Sequence, residues 1–156
     1  PVPWTHKIIE WQGRKVLVAS SAMGSSYMDA ALHKQVASFN AAGVQTFAFD
    51  PPVGYRFPLK VGDRWKDEHK MTDVRRDIVL RLEVSYEVLA YEDVTVPAGT
   101  FKAFKVTYTD SFGEVNTVWT APSLALSTIK RVATRPATHP QGAGELLGEL
   151  IAFEKP

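Results

Sequence analysis

The sequence predicts an all-β fold, a single antiparallel meander, and three observations carry that prediction. Apolar and polar residues alternate with period two over long stretches. Gly and Pro punctuate the chain at short intervals. Val94-Thr95-Val96-Pro97-Ala98-Gly99-Thr100-Phe101 reads as a hairpin corner between two such stretches. Pro97 has φ pre-set for the second position of a tight turn, and Gly99 falls at the fourth, where a type I turn favours glycine. Gly13, Gly24, Gly43, Pro51-Pro52, Gly62, Gly113 and Pro122 mark further corners. That spacing suits short consecutive strands rather than strand–helix–strand units.

The clearest strand covers residues 78–88. Ile78, Leu80, Leu82, Val84, Tyr86 and Val88 share one face, and Arg81, Glu83, Ser85 and Glu87 share the other, the pattern of a half-buried antiparallel strand. Phe104, Val106 and Tyr108 repeat it after the Pro-Ala-Gly corner. Asp110-Ser111-Phe112-Gly113 supplies the next turn and residues 115–120 the next strand. Ala121-Pro122-Ser123 interrupts before a strand at 128–134, and a loop at 136–144 leads into a last strand at about 146–154 with Leu147, Ile151 and Phe153 on one side.

Towards the N-terminus, residues 15–19 read as a strand after Gly13, and 46–49 as another that stops at Asp50-Pro51-Pro52. Between them, residues 29–42 support two readings equally. Leu32, Val36 and Phe39 fall at helical spacing among helix-favouring alanines. Alternatively, Asn40-Ala41-Ala42-Gly43 is a turn joining strands 35–39 and 44–49. The expectation is one domain over residues 1–156, with eight to eleven strands and at most one short helix. Its sheet is strongly twisted and closes, or nearly closes, as a barrel or half-barrel, which shelters edge strands and gives the inward faces a place to bury.

Bulk properties narrow the function classes. A chain of 156 residues with 45% hydrophobic and 22% charged residues matches a globular domain able to bury a core without metal or disulfide. There is no cysteine, which excludes thiol catalysis, thiolate metal sites and disulfides. A net charge of +1 gives no field pointing to nucleic acid or anionic lipid. No apolar run approaches the ~18–20 residues of a membrane helix. The chain opens on Pro1 rather than Met, so a processed form is expected, with any signal peptide or lipid-acceptor cysteine lying upstream.

Four segments in order carry a resemblance: Phe49-Asp50-Pro51-Pro52, Phe57-Pro58-Leu59-Lys60-Val61-Gly62-Asp63-Arg64-Trp65, Asp93 through Phe101 with its Val-Pro-Ala-Gly-Thr-Phe core, and Trp119-Thr120-Ala121-Pro122. They resemble a group of bacterial secreted or lipid-anchored β-rich domains of unknown function, over about the stretch 49–122. The resemblance implies an antiparallel β domain exported to the periplasm or associated with the outer membrane. It tilts residues 29–49 towards a hairpin and supplies no catalytic residue. Ser123-Leu124-Ala125-Leu126 departs from the group by lacking the glycine that usually follows the Trp strand.

Candidate chemistry is sparse. In Asp67-Glu68-His69 an extended strand points Asp67 and His69 one way and Glu68 the other, too few neighbours for a zinc site, while His6, His33 and His139 lie far off in sequence. Ala19-Ser20-Ser21-Ala22-Met23-Gly24-Ser25-Ser26 lacks both the nucleophile elbow and the P-loop ending, and reads as a small-residue turn. Arg75 and Arg76, flanked by Asp73 and Asp77, read as local charge pairing on a strand connection. Trp65, Tyr86, Phe104, Tyr108 and Trp119 are the candidate lining of a concave aromatic face. Beside Lys102 and Lys105 they also raise single-strand nucleic-acid stacking, which the charge balance disfavours.

The functional expectation is a non-catalytic envelope domain, with no cofactor and no metal, binding an apolar small molecule or an envelope protein on that aromatic face. The alternative is a hydrolase using Asp67 and His69.

Overall fold

The structure, a computed structural model, describes residues 2–124 and 126–153. It is all-β. Strands β1 (Thr5–Trp11), β2 (Arg14–Ser21), β3 (Gly24–Asp29), β4 (Lys34–Asn40), β5 (Gln45–Val53) and β6 (Arg64–Asp73) are followed by β7 (Ile78–Val96), β8 (Gly99–Asp110), β9 (Val115–Ala121), β10 (Leu126–Arg135) and β11 (Gly144–Glu149). A single 3-10 turn, Pro122–Leu124, sits between β9 and β10. Every strand pairs with its sequence neighbours in the order β1 to β11, giving one antiparallel meander of eleven strands. β1 and β11 do not pair, so the ladder stays open at both ends among the described residues.

Turn chemistry explains how so many reversals are specified. Five strands end on a residue whose side-chain oxygen accepts backbone N–H groups just beyond it. Ser21 takes Met23, Asp29 takes Ala31 and Leu32, Asn40 takes Ala42 and Val44, Asp73 takes Arg75 and Arg76, and Asp110 takes Phe112 and Glu114. Such side chains imitate a backbone turn and satisfy amides that leave the ladder. This resolves the open reading of residues 29–49 in favour of a hairpin. Asp29 caps a single turn that ends at His33, where φ is +53°, and Asn40 closes the β4–β5 corner with Gly43 at φ +76°. The Val96↔Gly99 pair brackets a two-residue corner, Pro97-Ala98, as the sequence predicts.

Two boundaries differ from expectation. β5 runs through Asp50-Pro51-Pro52 instead of stopping there. The prolines are tolerated because β4 pairs with β5 at Ala48 and again at Val53, skipping the residues between, so the missing N–H groups break no rung. At the C-terminal end, β11 begins two residues early and stops at Glu149, and Glu154 lies outside the described residues. β1 and β3 are additional strands, and of the residues read as a small-residue turn, 19–21 belong to β2 and 24–26 to β3, which leaves only 22–23 as the turn.

The packing groups the chain into two compact units, one comprising residues up to Phe57 with Glu68–Leu82, the other Pro58–Asp67 with the residues from Glu83 onward. In the first, Val16, Val18, Val36 and Ala37 are buried beneath Ile9 and an aromatic trio. Trp11 meets Tyr27 edge-on at 5.4 Å, and Tyr27 meets Phe39 at 4.3 Å.

In the second unit a β-bulge decides which residues are inside. Val88 pairs with Val106, but Ala90 pairs with Lys105, so Leu89 is an extra residue on β7. Buried positions on β7 keep even numbers across it (Val84, Tyr86, Val88, then Val94, Val96), whereas those on β8 pass from Val106 to Ala103. The bulge therefore moves the buried side of β7 to the opposite face of the sheet. Val94, Val96, Ala103, Ala121 and Ile129 form the cluster on that second face.

Candidate functional site

β6, β7 and β8 place three of the five aromatic candidates in a row. The rings of Trp65 and Tyr86 stack at 4.8 Å with 13° between planes, and Tyr86 lies 5.4 Å from Tyr108. Burial pushes both tyrosine hydroxyls above their ordinary pKa, helped at Tyr86 by its proximity to Tyr108 and Asp67. Phe104 stands on the same face as Tyr108 but further along β8, where its ring faces the exposed Tyr91 at 4.7 Å. Trp119 is on the other face, because it pairs with Lys105, which alternates with Phe104 and Val106. Its Nε1–H donates to Glu92 at 2.9 Å, and Lys105 and Lys130 stand over its ring at 5.2 and 5.8 Å.

A hollow of about 290 Å³ touches Trp65, Tyr86 and Tyr108, and its remaining lining is Arg64, Ser85, Glu87, Thr107 and Thr109. Those five alternate with the rings along their strands. Hydroxyls and an Arg64–Glu87 ion pair at 2.8 Å set the polarity there.

The buried His69 ring donates from Nδ1 to the Pro51 carbonyl at 2.7 Å, since a carbonyl can only accept, and this leaves the Nε2 lone pair without a hydrogen-bond partner among the described residues. Asp67 shares the inward parity of β6 with His69, and Glu68 points out to an ion pair with Arg81. His69 is therefore a buried histidine held through Nδ1 by a backbone carbonyl, with no hydrogen bond at Nε2 among the described residues.

One constellation escapes sequence reasoning. Asp110 and Glu114 at the β8–β9 turn meet His139 from the loop before β11, with ligand-type atoms within 4.8 Å of one another. The hydrogen bonds argue for a brace and against a metal centre. Nδ1 of His139 accepts the Gln141 N–H at 3.1 Å, so Nε2 carries the proton and donates it to Asp110 at 3.2 Å. A metal ion needs the Nε2 lone pair, which would require a proton on Nδ1 pointing at another N–H. Arg131 and Arg135 answer Glu114 at 3.1 and 3.4 Å, and Asn116 bridges Glu114 and Arg131. The contact joins positions twenty-nine residues apart, and the sequence signals only its Asp110 turn.

The two end strands of the meander keep unpaired backbone groups among the described residues. Leu150 N donates to Ile129 O, and the β10–β11 register then aims the backbone groups of Glu145, Leu147 and Glu149 away from β10. Leu147 is 67% exposed among exposed neighbours Glu145 and Leu146. Comparison with known proteins finds no matching family model, no matching curated protein and no matching solved structure.

Proposed function

We propose that this chain is a non-catalytic binding domain of the bacterial envelope that captures an extended segment of a protein partner along β11. The envelope address rests on the sequence resemblance. The binding mode rests on one observation, the open β11 edge, whose outward backbone groups belong to Glu145, Leu147 and Glu149, all on one face. A strand added there gains main-chain hydrogen bonds, while side chains at alternate positions give selectivity. Opposite Glu145 the edge favours Lys or Arg, as it does more weakly opposite Glu149, whose carboxylate already pairs with Lys130 at 3.3 Å, and opposite Leu147 an apolar residue.

Two features support binding at an edge over binding in a cavity. Trp65 stacks on Tyr86 and Tyr108 leans against Tyr86 at 37°, so the rings spend much of their surface on one another. The hollow beside them is open to solvent and mixed in its lining, with Arg64, Glu87 and three hydroxyl side chains beside the rings, which gives an apolar molecule little enclosure. In titration by nuclear magnetic resonance, a short extended peptide with Lys, Val and Lys at alternate positions is expected to shift the amides of Glu145, Leu147 and Glu149. A version with Glu in place of both Lys should bind far more weakly. Shifts confined to Tyr86 and Tyr108, or none at saturating peptide, would reject the proposal.

A further inference from the structure

The opposite end of the sheet carries its own pattern, independent of the β11 reading. Ala30 N donates to Lys15 O, so Lys15, Leu17 and Ala19 turn their backbone groups towards β3, and Val16 and Val18 turn theirs towards β1. In the β1–β2 register, Ile9 and Lys7 face those groups. The N–H and C=O of His6, Ile8 and Glu10 therefore point outward, and all three side chains lie on one face of β1. Ile8 is 67% exposed, with exposed His6 and Glu10 on either side.

We infer that β1 is a self-association edge whose occupant is β1 of a second copy of this chain, paired antiparallel about a two-fold axis through Ile8. An antiparallel hydrogen-bonded ladder requires outward groups on both strands, which restricts the pairing to the even-numbered residues. Centred on Ile8, that register sets Ile8 against Ile8 of the second copy, His6 against its Glu10, and Glu10 against its His6. Each opposition is favourable: apolar with apolar, imidazole with carboxylate. On the other face Lys7 falls opposite Ile9, with no like charge directly across. A two-fold interface requires a patch complementary to itself, and this spacing of base, apolar residue and acid at alternate positions meets that requirement.

The same operation fails at β11. Centred on Leu147, it sets Glu145 against Glu149 twice, carboxylate on carboxylate. Pairing β1 with β11 of another copy through Ile8 and Leu147 matches His6 with Glu149 but opposes Glu10 to Glu145. Of the three edge-to-edge pairings centred on the exposed apolar residues, only the first lacks a like-charge clash, and it closes as a dimer.

Sedimentation of the full chain tests this. Wild type should show a concentration-dependent monomer–dimer equilibrium. His6→Glu, which puts carboxylates opposite each other at both ends, should weaken it by about tenfold or more. His6→Glu with Glu10→His restores every opposition in swapped order and should recover the dimer to within a few-fold. Ile8→Lys should abolish it, and Leu147→Lys at the other edge should leave it unchanged. A wild type that stays monomeric up to about 1 mM, a dimer indifferent to His6→Glu, or a swap that fails to recover it would overturn the inference. Because all these positions are exposed, far-ultraviolet circular dichroism should match wild type, and the swap still decides the matter if one single variant misfolds.

Discussion

β1 and β11 are both terminal strands of one meander with an open hydrogen-bonding side, yet they carry opposite charge patterns. At alternate outward positions β1 presents His6, Ile8 and Glu10, and β11 presents Glu145, Leu147 and Glu149. The apolar centre is the same in kind and in exposure. The flanks decide what each edge accepts. One acid and one base make an edge that fits itself, and two acids make an edge that rejects itself and waits for a basic strand. An open sheet end is an aggregation hazard, and a single like-charge opposition is a modest but sufficient means of choosing among partners.

The most severe way to break the contrast is to give β11 the logic of β1. Glu145→Lys sets an ammonium group opposite Glu149 in both halves of a two-fold pairing, so both edges become self-complementary. Contacts through β1 and through β11 can then alternate from copy to copy, and the expected product is an assembly larger than a dimer. Light scattering should rise steeply with concentration for Glu145→Lys and return to a simple dimer when Ile8→Lys is added. A Glu145→Lys protein that stays dimeric would show that the acidic flanks are not what holds β11 apart.

The two edges also rest on different foundations. β1 lies over Val16 and Val18 along its length, with Ile9 and Trp11 packed inward. β11 is secured chiefly at its end, where Leu150 N bonds Ile129, Leu150 O accepts the Ala98 N–H of the hairpin corner, and Leu150 packs against Ile129. Ile129 is fully buried, so Ile129→Ala should cost about 2–5 kcal/mol. Hydrogen exchange should accelerate at Gly144–Glu149 well before it does at Thr5–Trp11. Uniform acceleration across both strands would mean that the cluster around Ile129 is not specific to β11.

The comparison also marks how far the sequence could be read. The corners at Pro97 and Gly99 and at Asp110 and Gly113 were legible because each is settled locally, whereas Asn40 and Gly43 competed with a helical spacing that local pattern alone did not reject. The face inversion was not. Val84, Tyr86, Val88, Val94 and Val96 hold one parity throughout, and only the pairing with β8 reveals that Leu89 is an insertion. A second register was equally hidden: the sequence grouped Trp119 with Tyr86 and Tyr108, and only the β8–β9 pairing, which sets Trp119 opposite Lys105, separates it from them. The His139 brace was hidden for another reason, since its partners converge only after the loop before β11 folds back on the β8–β9 turn. The edges wrote their pattern plainly at alternate positions. It acquires meaning only once strand order shows which two strands lack a second neighbour.

That brace suggests the next smaller test, on the segment that delivers β11. His139→Ala removes a buried donor to Asp110 and the acceptor of the Gln141 N–H. The expected loss is about 1–3 kcal/mol, with faster exchange at Gly144–Leu146 and no change in the wild-type preference for β1 dimerisation. Zinc added to wild type should leave the unfolding midpoint where it was. A rise of several degrees would mean the metal displaces the Nε2 proton after all.

The smallest effect is expected at Asp29, which steadies the β1 side. Its carboxylate accepts Ala31 and Leu32 N–H groups and pairs with Arg14, the β2 residue opposite Trp11 at the end of β1. The Leu32 amide above all, then the Ala31 amide and the Arg14 charge, hold this carboxyl below its ordinary pKa against the opposing pull of burial. A carboxyl depressed in the folded state adds stability in full above the unfolded value of about 4 and loses it as the pH falls through the folded value. Asp29→Ala should therefore cost about 1 kcal/mol near neutrality, and the gap between variant and wild type should narrow on acidification. A gap that stays constant from neutral pH down to about pH 2 would show that Asp29 acts through packing instead of charge, and would leave Arg14 no part in holding the β1 end of the sheet.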